Sequence, residues 1–368
     1  MSFGCVAQDP TRGRLLLSSG PSLYSYAIES NTLAPLGGAA ADATAAADVI
    51  RAVAVDADGR YVAVSGEAKH VDLLDAETLA RVARWELPRK CGVGMLAFCR
   101  QGLISADRVG DLRLHRRPES GGEEAAGELL CSHLTAVTAM ALAGDLVATA
   151  ERTEKIRVAR LPGAYDVAAF CLGHSDYVTS LAFDATSGRL ASAGGDGCVM
   201  LWRAEEGELL HSLPLAPLRP QADGAALPPV SGLTLVSASG GALLLTVALI
   251  GKACLLVLRV DDRELSYVQT LELPAPLPAP ATPAVMFCGD VLYASCPRRS
   301  DDAAHPLVAT FRLGAAGAGE QPAFEPFEDA TLGQATLPQA GAGGWEPAWY
   351  AKAEGVRGLS RGTQRKEN

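Results

Sequence analysis

Apolar and polar residues alternate with a period of two in short runs along most of this chain, and glycine, aspartate and serine cut the runs at short intervals. RAVAVDADGRYVAVSG, over residues 51–66, holds two such runs joined by a turn at 56–59, and HVDLLD follows as a third. A period of two sends successive side chains to opposite faces of an extended strand, so each run predicts a strand with one face turned to a core. The breaks predict tight turns. The same layout predicts strands at 4–7, 14–18 and 23–28, then MLAFC, GLISA and DLRLH between residues 90 and 117, and AVMFCGDVLYASC and LVATFRL between 284 and 313. Residues 242–250 and 253–258 are apolar runs parted by Gly251 and Lys252, and read as two buried strands and a turn. They are too short for a membrane-spanning helix, which needs about 20 apolar residues. The Ala/Gly-rich stretch 31–48, the polar insert 118–127 and the Pro/Ala-rich stretches 214–229 and 274–283 read as loops and connectors.

One copy is complete enough to show what the unit is. Residues 171–203 read CLGHSDYVTSLAFDATSGRLASAGGDGCVMLWR, with Gly173-His174 near the start, Ser192, a Gly-Gly-Asp-Gly turn at 194–197, and Leu201-Trp202 at the end. That is the layout of a WD-repeat propeller blade, a four-stranded unit of roughly 40 to 45 residues. Its polar side chains suit one hydrogen-bonded chain, in which the Trp202 indole donates to Ser192, Ser192 donates to His174, and Asp196 orients the imidazole. His174, Ser192 and Asp196 also have the composition of a hydrolase triad. Ser192 falls inside a strand, however, and no G-x-S-x-G elbow presents it, so all four read as structural.

Weaker copies of this blade occupy the rest of the chain. In the third, His115 stands where the reference has Trp202, and Gly110 where it has Gly197. In the fourth, over 133–162, Thr149 stands for Ser192, Thr153 for Asp196, Val158 for Leu201 and Ala159 for Trp202, so its polar chain is degraded. The count is seven. The predicted architecture is an all-β, seven-bladed WD-repeat β-propeller over 1–335, best formed at 171–209, with a C-terminal extension at 336–368. That extension carries Arg357, Arg361, Arg365 and Lys366. How the ring closes is not visible in the sequence, although propellers usually pair strands from both termini.

With 48% hydrophobic but only 5% aromatic residues among 368, the core must be built from small aliphatic side chains. A net charge of -10 argues against a protein that coats nucleic acid by bulk electrostatics. Nine scattered cysteines with no C-x-x-C pair indicate neither a disulfide framework nor a zinc site. Reduced thiols, and a start (MSFGCVAQDPTRGR) without the apolar core of a signal peptide, point to a nuclear or cytosolic compartment, with the nucleus as the expected one. Gly314, Gly317 and Gly319 mimic a nucleotide-binding loop, but Pro322 and Pro326 follow where a helix would be needed. No cofactor, metal or catalytic residue is expected.

Function on a propeller sits on its end faces and turns. The fourth copy breaks the blade pattern there with Glu151, Arg152, Thr153, Glu154, Lys155, Ile156, Arg157 and Val158. Alternation sends Ile156 and Val158 to one face and Lys155 and Arg157 to the other, where Arg157 replaces Met200 and is expected to point outward. Equivalent turns bring Lys69 and Arg108 to the same end, which gives a basic rim with Glu151 and Glu154 interspersed. Single surface charges contribute roughly 0 to 1 kcal/mol, but arginine in a desolvated interface can be a hot spot.

Glu154 to Val158 (EKIRV), followed by Phe170-Cys171-Leu172-Gly173-His174 and Val178, resembles the WD-repeat, non-catalytic subunit of eukaryotic tRNA (guanine-N7)-methyltransferase, whose motif reads D-E-K-I-R-V and then F-C-L-G-H-x-x-F/Y-V-S. Thr153 stands in the Asp position here, and Thr179 precedes Ser180 after the valine. The resemblance is sharpest over 146–202, with some likeness at 349–353. It implies a seven-bladed propeller that binds and stabilises the catalytic subunit of a heterodimer. That partner would hold S-adenosylmethionine and methylate N7 of a guanosine in the tRNA variable loop, with tRNA engaged mainly through it and no membrane involved. It implies partner contacts by Lys155, Arg157 and Glu154, with Arg152 and Arg108 added from their place in the rim. The family's long basic C-terminal helix is largely missing. A generic WD-repeat scaffold, such as a ubiquitin-ligase adaptor, is the alternative, because fold does not fix the partner.

Overall fold

The structure, a computed structural model, describes residues 6–9, 11–19, 22–27, 32–36, 49–66, 69–88, 92–116, 127–218, 229–237, 241–250, 252–273, 285–288, 291–295, 308–313 and 324–326. They form seven antiparallel four-stranded sheets, each made from four strands consecutive in the chain. Blade one comprises Val6–Asp9, Arg14–Ser19, Ser22–Ala27 and Thr32–Leu36, and blade two Ile50–Val55, Tyr61–Gly66, His70–Asp75 and Arg81–Glu86. Blade three comprises Val93–Cys99, Gly102–Asp107, Asp111–His115 and Glu128–Ser132, and blade four Val137–Ala143, Leu146–Glu151, Lys155–Arg160 and Val167–Leu172. Blade five comprises Val178–Asp184, Arg189–Gly194, Cys198–Arg203 and Glu208–Pro214, and blade six Val230–Ser237, Leu243–Leu249, Cys254–Val260 and Leu265–Glu272. Blade seven comprises Val285–Cys288, Val291–Ser295, Val308–Leu313 and Phe324–Pro326. First strands of successive blades lie side by side, and the first strand of blade one lies against that of blade seven, so the ring is closed. The fold is a seven-bladed β-propeller.

Apolar layers between blades hold the ring together. Ile156 and Val158 of blade four pack with Val178, Leu190 and Trp202 of blade five. Val199 and Leu201, on the other face of blade five, pack with Leu245 and Val247 of blade six. A second or third strand is therefore covered on both faces, and strands such as Arg189–Gly194 and Cys198–Arg203 are buried at four or more successive positions. Period-two burial survives in a first strand, Ile50–Val55, and in an outer strand, Arg81–Glu86. The core is largely Leu, Val and Ala, with Trp85, Trp202 and Tyr26 as its largest fully buried side chains.

The structure differs from the sequence reading in the fourth strands. Thr32–Leu36 lies in the stretch read as a loop, while Arg81–Glu86 and Phe324–Pro326 lie beyond the runs read as blades two and seven. These are short outer edge strands, and an edge tolerates Pro35 and Pro326 because half its amides need no ladder partner. The repeat unit 171–203 is also offset from the blade, since it begins inside the outer strand of blade four. Among the described residues, no sheet combines strands from both ends of the chain. Blades one and seven instead meet by side-chain packing, with Tyr26 and Tyr293 edge-on at 6.0 Å. Residues 117–126, 219–228, 274–284, 314–323 and 327–368, which hold most of the polar insert, the connectors, the glycine cluster and the C-terminal extension, lie outside the described residues.

Candidate functional site

Blade five carries the polar chain that its sequence predicts. Trp202 Nε1 donates to Ser192 Oγ at 2.8 Å, and Ser192 Oγ lies 2.7 Å from His174 Nε2. His174 Nδ1 is 2.8 Å from Asp196 Oδ2, and the amides of Ser175 and Cys198 donate to the same carboxylate at 3.1 Å each. Burial raises the Asp196 pKa, but the His174 hydrogen bond, the imidazole charge and the two amides together hold it below the usual carboxylate value. Ser192 and Trp202 are fully buried and His174 nearly so, so no substrate can reach the hydroxyl. The four residues join the second and third strands to the linker that enters the blade.

Blade four holds the remnant of that chain. His133 occupies the place of His174, four residues before Val137 as His174 is before Val178. Its Nε2 is buried with no hydrogen-bond partner, because the hydroxyl at the Ser192 position now belongs to Thr149 and donates to the Arg157 carbonyl at 3.4 Å. Burial lowers the His133 pKa, the Glu151 carboxylate opposes the shift, and the Arg157 charge adds to it. Blade three keeps one link. His115 Nε2 lies 2.8 Å from Ser105 Oγ, as Trp202 does from Ser192, and the imidazole packs on Trp85 with ring centroids 5.0 Å apart. Burial, with a smaller effect of the Arg113 charge, lowers its pKa to about 4.

The charged rim is placed on the turn between the second and third strands of blade four. Arg152 and Glu154 in that turn and Lys155 just after it are exposed. The turn is tied to the linker entering the blade, since Arg152 N donates to Thr135 Oγ1 at 3.2 Å and Thr135 Oγ1 donates to Glu151 Oε2 at 3.0 Å. Lys69 is exposed and Arg108 half-buried in the equivalent turns of blades two and three. Arg157 does not point outward. It is half-buried, its Nη2 donates to the Ala164 carbonyl at 2.8 Å, and its Nε is buried without a hydrogen-bond partner. The cause is the propeller itself, because the face opposite Ile156 and Val158 looks toward blade three, where Arg157 lies near enough to act on Cys131 and His133. The matching position is charged in blades two and three as well. Asp72 accepts from Nε and Nη2 of Arg84 at 2.6 and 2.7 Å, and its pKa falls to about 2 once these and His70 outweigh burial. Arg113 donates to the Gly127 carbonyl at 3.0 Å.

Sequence reasoning about charge passed over exposed apolar side chains at the same end, among them Leu134, Phe170 and Leu172. Alternation in Val167–Leu172 about the buried Cys171 would have turned the last two outward. Among the described residues, no group of three or more His, Cys, Asp or Glu side chains is placed to hold a metal ion.

Residues 115–278, from the end of the third strand of blade three through blade six, match the model of the tRNA methyltransferase TRM82 WD40 domain. The likeness is to TRM82. Two relatives, both named as the non-catalytic subunit of tRNA (guanine-N(7)-)-methyltransferase, are similar to this chain. They are wdr4 of Danio rerio, 36% identical over 171 residues, and WDR4 of Homo sapiens, 29% identical over 168. Each alignment takes in 45% of this chain and 40% of the relative, so the chain spans less than half the length of either. A solved structure of U3-55K superposes with a TM-score of 0.67 over 85% of this chain and 96% of that one, and at 18% identity it shows the propeller fold alone. The TRM82-like region contains Arg152, Glu154, Lys155, Arg157 and the whole blade-five chain. Arg108 lies outside it.

Proposed function

We propose that this chain is the non-catalytic subunit of a tRNA (guanine-N7)-methyltransferase complex, a propeller that binds the catalytic subunit and holds it in the form that accepts tRNA. The observation that carries the reading is the TRM82 match at 115–278, which spans blade four with its end-face turn of exposed charges. The His–Ser–Asp set in the same region is buried, which fits a subunit that contributes no reacting group. Arg152, Glu154 and Lys155 form charge-assisted hydrogen bonds to side chains of opposite sign on the catalytic subunit. Arg157 acts from the seam behind them, and Arg108 extends the contact to blade three. The partner holds S-adenosylmethionine and makes most of the tRNA contact, in keeping with a net charge of -10 on this chain. No described helix is long and apolar enough to cross a membrane, and the complex works in the nucleus.

The test is coexpression with the catalytic subunit, purification through a tag on this chain, and assay of the bound fraction for N7-methylation of tRNA guanosine. The expected result is a one-to-one complex whose activity exceeds that of the catalytic subunit alone. A catalytic subunit that is equally stable and active without this chain would overturn the reading. Ubiquitin-ligase components recovered from cell extract in its place would assign the propeller to another assembly.

A further inference from the structure

At the end of the propeller that carries the turns between third and fourth strands, four arginines are neutralised within the chain: Arg160 by Glu205 at 2.5 Å, Arg189 by Asp262 at 3.1 Å, Arg203 by Glu208 at 2.7 Å and Arg263 by Glu208 at 2.5 Å. At the opposite end of blade four, Arg152 and Lys155 are exposed and make no ion pair among the described residues.

Large apolar side chains stand beside these open cations. Leu134, in the linker between blades three and four, is 99% exposed. Single exposed leucines are ordinary and carry no message. This one is held in place by its neighbours on both sides. His133 N donates to the Gly110 carbonyl at 2.8 Å, and Thr135 donates through its amide and its hydroxyl to Glu151 at 3.3 and 3.0 Å. The linker lies so close to the turn of blade three that a Cβ on Gly110, where φ is +114°, would come within 2.5 Å of the Thr135 carbonyl oxygen and 2.8 Å of that of His133. Leu134 thus projects from a fixed backbone, and little conformational freedom is left to lose when a partner covers it. On the far side of the charged turn, Lys155 pairs across the strands with Leu172, 60% exposed, and Arg157 pairs with Phe170, 52% exposed. The order across the end of blade four is therefore leucine, charged turn, leucine and phenylalanine.

The geometry points to Leu134, Leu172 and Phe170 as the apolar anchor of the partner interface, received by an apolar groove on the catalytic subunit whose rim carries carboxylates for Arg152 and Lys155. This rests on the reading under Proposed function. The arrangement is that of a protein interface, with a desolvated apolar centre and a polar surround. A surface for RNA bases would offer aromatic platforms, and two of these three side chains are leucines.

The full-length chain carrying Leu134→Asp, Leu172→Asp or both is coexpressed with the catalytic subunit, and association and the melting temperature of the free propeller are measured. Tyr267→Ser, at an exposed site on blade six, is the control. Each aspartate variant is expected to weaken association at least tenfold with an unchanged melting temperature, and the control to bind as wild type. If Leu134→Asp lowers the melting temperature, Leu134→Ala decides, with an expected loss of about fivefold. Wild-type affinity in the Leu134 and Leu172 variants would overturn the anchor and leave the proposed function standing. Failure of the wild-type chain to bind the catalytic subunit would overturn both. Loss of tRNA binding by the free propeller, with partner affinity unchanged, would also overturn the anchor and assign the surface to RNA.

Discussion

Blades four and five share one strand plan, yet the same positions are closed off in one and opened in the other. In blade five, Trp202, Ser192, His174 and Asp196 satisfy one another and bind the incoming linker to the sheet. In blade four the indole becomes Ala159, the serine Thr149 and the aspartate Thr153, and His133 keeps the histidine's place with a buried, unpaired Nε2. Linker attachment passes to Thr135 and Glu151, a pair at the rim rather than in the core. A blade whose turn is not tied down by a buried polar chain can place charged side chains there. The exposed rim of blade four and the degraded core beneath it are two sides of one change.

The largest expected break in this contrast is Trp202→Ala. It removes the largest side chain between blades four and five and leaves Ser192 without its donor, and the expected loss is about 4 kcal/mol in urea unfolding. Nothing comparable can be removed at Ala159. Ser192→Ala tests the polar chain alone. It strands the Trp202 Nε1 and His174 Nε2 in the core, at an expected cost of about 2 kcal/mol, whereas Thr149→Val, which deletes a hydroxyl bonded at 3.4 Å, should change stability by less than about 1 kcal/mol. Equal losses at the two sites would show that blade four retains a working equivalent of the chain.

Acid should reach the degraded blades first. His115 titrates near 4 in the folded chain against an ordinary 6.5, because burial and the Arg113 charge disfavour the imidazolium. A histidine depressed in this way lends stability that is complete above pH 6.5 and lost as the pH falls toward 4, since the unfolded chain takes up the proton first. The expected loss between pH 7.5 and 5 is about 2 kcal/mol. His133, also shifted down, adds in the same direction. Asp196 and Asp72, both shifted below 3.8, keep their contributions until the pH falls below that value. His115→Gln should flatten the fall in a series of urea midpoints against pH, and an unchanged slope would show that His115 does not titrate as its burial requires.

How far the sequence could be read follows from what each strand touches. The first three strands of a blade were legible because their apolar runs and turn glycines are local signals. The outer strands were not, since Thr32–Leu36 and Arg81–Glu86 owe their existence to an edge in the folded sheet. The polar chain of blade five was legible because four special residue types fall at set spacings. Arg157 was misplaced for the opposite reason: alternation tells which face a side chain takes, and only the ring tells that both faces of a middle strand are covered. Arg157→Glu, which on the alternation argument alone would leave the fold intact, should instead lose about 1–2 kcal/mol, because it removes the hydrogen bond to the Ala164 carbonyl oxygen at a half-buried position. Arg157→Met, the blade-five residue, should stay within about 1 kcal/mol of wild type.

The smallest expected effect on the fold is the sharpest test of the surface. Lys155 begins the third strand of blade four, is exposed, and forms no ion pair among the described residues, so Lys155→Glu breaks no internal ion pair there. Exposed substitutions of this kind usually stay within about 0.5 kcal/mol. If the end of blade four receives an acidic rim on the catalytic subunit, the same change places like charges together, and a tenfold or greater loss of association follows, most of it in the association rate at low salt. That loss should shrink as salt is raised, because the Debye length falls from about 10 Å at 0.1 M to about 3 Å at 1 M. Met200→Glu in blade five would not be an equivalent control, because Met200 is buried in its seam. Lys252→Glu, in the exposed turn between the second and third strands of blade six, makes the same change of charge at the same end and should leave association unchanged.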